Sequence, residues 1–200
     1  REKVANFSSI SVREEKLKVI MNEVGINSPI VLDPTLLLTN DIWEQIFPIR
    51  NTFNERYVLY YKLYKNSFSE KYIADFAQKK GCKLLVLEGI PRPTIKRNTI
   101  STANPIEFIS LIKYADFIFT SSYHGLVFSL IFHKQFLASF SKNSDRAKSL
   151  LYLLDLKDHL IQHKSDMPKR IEEINYASID LKQDSLRSLS EKFLKESIYK

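Results

Sequence analysis

The chain has 200 residues, a formal net charge of +7, a pI of about 9.3 and 44% apolar residues. That is enough apolar surface for one good-sized domain, or one domain and part of another, and it excludes intrinsic disorder. No stretch reaches the ~18 uninterrupted apolar residues of a membrane span, no signal-peptide pattern is present, and the single cysteine, Cys82, excludes a disulfide framework and a multi-thiolate metal site. A reducing, cytoplasmic location is therefore expected. The positive charge suits an anionic partner: nucleic acid, an acidic lipid surface or a phosphorylated substrate. The basic residues are scattered and form no RNA- or DNA-binding signature, so no nucleic-acid partner is expected.

In chain order, Ser8 to Val12 reads as a strand end, followed by a helix carrying Leu17, Ile20, Met21 and Val24 and closed by Gly25. Pro29 to Leu32 is a predicted strand ending in Asp33-Pro34, where the aspartate is a turn former or a strand-end carboxylate. Residues 44–56 read as a polar connector. Tyr57 to Tyr61 is a strand, and Ser67 to Glu70 is a capping box opening a helix that stops at Gly81. Lys83 to Leu87 is a buried strand, and 89–100 is a basic, proline-rich loop, solvated or acting as a lid. Asn104-Pro105-Ile106-Glu107 caps the next helix. Strand 116–120, helix 123–133, strand 136–140 and helix 145–155 follow, then a polar tail with a helix from about Asp184. Strands alternating with helices predict an α/β fold, a Rossmann-like parallel sheet flanked by helices. The predicted organisation is 1–48 as the end of an upstream domain, 49–180 as a second Rossmann-like domain and 181–200 as a helix packing back on the first segment.

Three predicted helix starts carry a cation two residues after a serine: Ser11 and Arg13, Ser122 and His124, Ser144 and Arg146. A cation in the first turn opposes the helix dipole by ~0.3–1 kcal/mol. A bound phosphate or carboxylate would turn three unfavourable placements into favourable ones, at the strand ends where open α/β sheets bind ligands. Each residue also has an ordinary alternative. Glu14 and Asp145 neutralise the arginines, His124 bonds a neighbouring carbonyl, and Gly125 lets a helix pack closely on the sheet. His133, His159 and His163 lack metal spacing, so no metal site is expected. Tyr57, Tyr60, Tyr61 and Tyr64 read as core and edge packing rather than a sugar platform.

The segments "ISVREEKLKVIMNEVGI", "PIVLDPTLLL" with Trp43 following, "NPIEFISLIKYADFIFTSSYHGLVFSLIFHKQF" and the arginine before "SLLYLLDL" resemble the polysaccharide pyruvyl transferase family over about residues 8–156. The resemblance implies a GT-B-like architecture with most of the N-terminal half missing. It also implies transfer of pyruvate, as a cyclic ketal, from phosphoenolpyruvate to a sugar of a surface or capsular polysaccharide precursor. Phosphoenolpyruvate is then the donor substrate and no cofactor is required. The acceptor is lipid-linked or a polysaccharide precursor, met at the cytoplasmic membrane face. Arg13 and His124 are implied as donor-binding residues, with His124 also the acid. Ser122, Tyr123 and Gly125 complete the turn, and Arg146, with Lys142 second, supplies a further cation. The competing expectations are a GT-B glycosyltransferase domain for nucleotide sugars and a non-catalytic binding domain.

Overall fold

The computed structural model describes residues 4, 6–63, 66–89, 98–140 and 144–199. In chain order its elements are α1 (Glu15–Glu23), α2 (Asn40–Ile46), β1 (Tyr57–Lys62), α3 (Glu70–Lys79), β2 (Lys83–Glu88), β3 (Thr99–Ile100), α4 (Pro105–Lys113), β4 (Phe117–Thr120), α5 (Tyr123–Ile131), β5 (Phe136–Ala138), α6 (Asp145–Leu153) and α7 (Tyr176–Ile198). They fall into two compact units, one of residues 1–38, 145–155 and 175–200, the other of 39–144 and 156–174.

The second unit holds a five-stranded parallel sheet in the order β3-β2-β1-β4-β5. Strand alternation sorts its side chains onto two faces. Val58, Tyr60, Phe117, Phe119 and Leu137 form one core with Ile73 and Ala77 of α3. The intervening residues meet α4: the Tyr57 hydroxyl donates to the Leu111 carbonyl at 2.8 Å, and the Tyr61 ring lies 5.0 Å from Phe108. α5 is buried from Gly125 to Ile131, which explains a sequence with no polar stripe. Trp43 of α2 packs edge-on against Phe128 of α5 at 5.1 Å.

In the first unit, Val12 and Ile30 form a single parallel bridge, with the Val12 N–H donating to Pro29 and the Val31 N–H to Val12. α7 packs here. Its Ser190 hydroxyl accepts from the Leu32 N–H at 2.9 Å, and the Arg187 Nε–H donates to the Leu36 carbonyl at 3.1 Å. α1 and α6 are in contact, joined by a Lys16–Asp145 ion pair of 2.9 Å.

Four local expectations need correction. Pro29 to Leu32 is one bridge rather than a strand: among the described residues, its one strand-type pairing is Ile30 with Val12. The cap of α3 is Ser69, accepting from the Tyr72 N–H, whereas the Ser67 hydroxyl donates to the Gln162 carbonyl. The predicted connector 44–56 begins inside α2. The final helix starts at Tyr176, capped by Asn175, well before Asp184.

Candidate functional site

Strand order reverses between β1 and β4: the chain runs outward from β1 to β3, returns through α4 and continues on the other side. Open parallel sheets form a crevice at such a point, beyond the carboxyl ends of the strands. The segment linking β4 to α5 lies there and is tightly fixed. The Ser121 N–H donates to the Tyr61 carbonyl at 3.0 Å, and the Ser121 hydroxyl accepts from the Leu63 N–H at 3.0 Å. The Ser122 N–H donates to the Thr120 hydroxyl at 3.1 Å, and Ser122 caps α5 by accepting from the Gly125 N–H at 3.4 Å. Tyr123 is half-buried, and its ring meets that of His124 edge-on at 5.5 Å. His124, the second residue of α5, is exposed.

Gly125 has a packing reason. It is buried, its N–H is already taken by Ser122, and a Cβ built on it would stand 2.2 Å from the Thr120 hydroxyl oxygen and 2.9 Å from the Tyr61 ring. Only a residue without a side chain lets α5 start this close to β1 and β4. His124 therefore projects from a helix start that the glycine permits and the serines fix.

A cavity of about 460 Å³ opens beside His124. Tyr61 and Leu63 from the end of β1, Glu88 and Gly89 from the end of β2, and Ser101 to Ala103 after β3 line it, with Phe108 and Phe128 behind. With Ser122 and His124 after β4, four adjacent strand ends contribute. Among the described residues, Glu88 has a carboxylate oxygen, Oε2, that is buried without a hydrogen-bond partner.

In the first unit, Arg13 directly follows the bridging Val12 and is ion-paired with Asp33 rather than with Glu14. Asp33 is buried and also accepts from the Thr35 N–H at 3.1 Å and the Thr35 hydroxyl at 2.7 Å, so it is both turn former and arginine partner. Burial pushes the Asp33 carboxyl up, but the Thr35 hydrogen bonds and the Arg13 charge outweigh it and hold the carboxyl below its usual range. The group's contribution is thus fully present above its ordinary value of 3.8 and is lost as pH falls through the lower folded value. Asp33→Asn should cost about 1 kcal/mol at neutral pH, because Arg13 is 40% exposed and stays solvated. Denaturant titrations should show this gap from wild type closing below pH 3.8. A gap unchanged down to strong acid would show that the Asp33 charge does not support the fold.

Ser122, Tyr123, His124 and Gly125 therefore share one turn of the second unit, while Arg13 and Arg146 lie in the first. The Lys16–Asp145 pair, in which each charge stabilises the other's ionised form, joins the starts of α1 and α6. Lys142, Tyr64 and residues 90–97 of the predicted lid lie outside the described residues. The shared helix-start geometry holds for His124 and Arg146 but not Arg13: α1 is capped at Glu14, which leaves Arg13 outside the helix. His159 is buried with Nδ1 3.1 Å from the Phe136 carbonyl, and the backbone N–H of His163 donates to the Asp166 carboxylate at 2.7 Å. Among the described residues no group of histidine, cysteine and carboxylate side chains is placed to hold a metal. Sequence reasoning missed Glu88, Ser101, Thr102 and Phe108. The Asn104 cap was the available signal, since residues just before a helix cap in a parallel sheet lie at a strand end.

A family profile described as polysaccharide pyruvyl transferase matches residues 1–141, which include Arg13 and the His124 turn and stop short of Arg146. No curated protein matches the chain. Among solved structures, the glycosyltransferase SnogD from Streptomyces nogalater aligns with 10% identity and a TM-score of 0.40, over 88% of this chain and 57% of its own.

Proposed function

The chain belongs to the polysaccharide pyruvyl transferase family, and from that premise we propose that it transfers the enolpyruvyl unit of phosphoenolpyruvate to two hydroxyls of one sugar, forming a cyclic ketal. The acceptor in this proposal is a surface or capsular polysaccharide precursor, lipid-linked or already polymeric, met at the cytoplasmic face of the membrane. Among the described residues no helix is long and apolar enough to cross a membrane. The observation that carries the proposal is the placement of His124: an exposed imidazole on a rigid helix start, at the reversal point of the sheet, beside a cavity of substrate size.

His124 in its protonated form gives a proton to the methylene carbon of the donor as a sugar hydroxyl attacks the adjacent carbon. The hydroxyl proton passes to a base or to water, leaving a tetrahedral carbon that bears the methyl, the carboxylate, the sugar oxygen and the phosphate. Phosphate then departs with its bonding electrons through an oxocarbenium-like state. The second hydroxyl closes the ring, and its proton leaves with phosphate or solvent. Arg13, Arg146 and Lys142, as donor-binding cations in this scheme, would stabilise the carboxylate and the departing phosphate. Asp33 has a positioning role in this scheme, because its ion pair fixes the direction of the Arg13 guanidinium.

The test is to incubate the protein with phosphoenolpyruvate and a panel of glycosides, following phosphate release and searching the products by mass spectrometry for an acid-labile pyruvate ketal. Phosphate release that depends on the acceptor and yields a ketal supports the proposal. Turnover of nucleotide sugars with phosphoenolpyruvate left intact would replace it with glycosyl transfer.

A further inference from the structure

Resting on the pyruvyl-transfer proposal, we infer that the cavity beside His124 seats a neutral hexose ring of the acceptor, with Phe108 and Tyr61 as its aromatic wall and Ser101, Thr102 and Glu88 as hydroxyl partners. The volume of about 460 Å³ is in the range of small-molecule sites and well beyond what a three-carbon phosphoester fills. The wall is preformed. Tyr61 and Phe108 are half-buried and 5.0 Å apart, and Phe108 is braced edge-on by buried Phe128 at 5.8 Å. Rigid aromatic faces of this kind take the C–H face of a pyranose at little entropic cost.

The polar groups fit the same occupant. Ser101 and Thr102 follow β3 and present hydroxyls that both donate and accept, as a sugar requires. Glu88 is the last residue of β2, and its unpartnered Oε2 is a standing penalty that a sugar hydroxyl would relieve by donating to it. The same carboxylate disfavours the phosphate and carboxylate of the donor, which directs those anions away from this wall. β1 separates β2 from β4, so two strand spacings, about 10 Å, lie between the Glu88 and Thr120 strand ends. That span accommodates one hexose ring with its attacking hydroxyl turned toward His124.

Isotope-labelled amide spectra of the 200-residue chain, titrated separately with neutral methyl hexosides, phosphoenolpyruvate and uridine, test this. Hexosides should shift the Ser101, Thr102 and Phe108 amides, and phosphoenolpyruvate should leave them in place. Phe108→Leu and Thr102→Val should each weaken hexoside binding about three- to tenfold with phosphoenolpyruvate affinity unchanged. Thr102 is exposed, so its variant folds even where the Phe108 variant does not. Phosphoenolpyruvate or uridine shifting these amides while hexosides do not would overturn the inference. Both variants binding hexosides as wild type does would overturn it as well. Hexoside binding at these residues with no ketal from any acceptor would uphold the cavity assignment and remove the pyruvyl-transfer proposal instead.

Discussion

His124→Gln should lower turnover about 10²–10⁴-fold while part of the donor affinity survives. Glutamine has similar reach and still donates a hydrogen bond, but it cannot deliver a proton to carbon. The size of the loss follows from the role: carbon protonation needs an acid of suitable strength at one fixed position, and water is a poor substitute. The turn that carries His124 is fixed by hydroxyls of Ser121, Ser122 and Thr120 that accept from backbone N–H groups, and the His124 side chain is exposed, so the variant should fold normally. Arg13→Lys supplies the contrast. A lysine keeps the charge but loses the planar fork that Asp33 holds, so donor affinity should fall more than turnover. Steady-state kinetics with phosphoenolpyruvate varied against a fixed acceptor separates the two. Near-normal turnover with only a weaker apparent donor affinity in His124→Gln would make the histidine a binding residue and place the acid elsewhere. No change in either parameter would make it structural.

The sheet was legible because each of its signals is local. Gly81, at φ +63°, and the Asn104-Pro105 cap mark ends that depend only on neighbouring residues. β1, β2, β4 and β5 read as short apolar runs because a parallel sheet covered on both faces needs no alternation. The site was legible at the His124 turn for the same reason, since Ser122, His124 and Gly125 lie within four residues of one another. What escaped depends on partners remote in sequence. Asp33 lies 20 residues from Arg13, and Asp145 lies 129 residues from Lys16. Nothing in the chain near Glu14 shows that Arg13 turns away from it. β3, two residues long, has no periodicity to detect and is recognisable only through its pairing with Val86 and Leu87. The cavity residues after it were hidden with it, whereas Tyr61 reads as packing and does pack, its ring 5.0 Å from that of Phe108.

Gly125→Ala should destabilise the second unit by about 1–3 kcal/mol, the usual cost of forcing an extra carbon into a filled interior. The added Cβ would sit 2.2 Å from Thr120 Oγ1, 3.1 Å from Thr120 Cβ and 2.9 Å from the Tyr61 ring. Thr120 cannot swing away freely, because it is fully buried and its hydroxyl both accepts from the Ser122 N–H and donates to the Ser122 carbonyl. Relief must therefore come from moving the start of α5, which displaces His124 with it. Denaturant unfolding of Gly125→Ala, Thr120→Ala and the double variant reads this directly. Thr120→Ala alone loses the hydroxyl's bonds to Ser122, yet it removes the closest obstacle to an alanine at 125. The two effects should therefore not add: the double variant should be more stable than the sum of the single losses predicts, by about 0.5 kcal/mol or more. Additive losses would mean that α5 shifts as a body regardless of Thr120. A Gly125→Ala chain with wild-type stability but impaired donor binding would move the glycine's role from packing to the ligand, where its backbone approaches the phosphate.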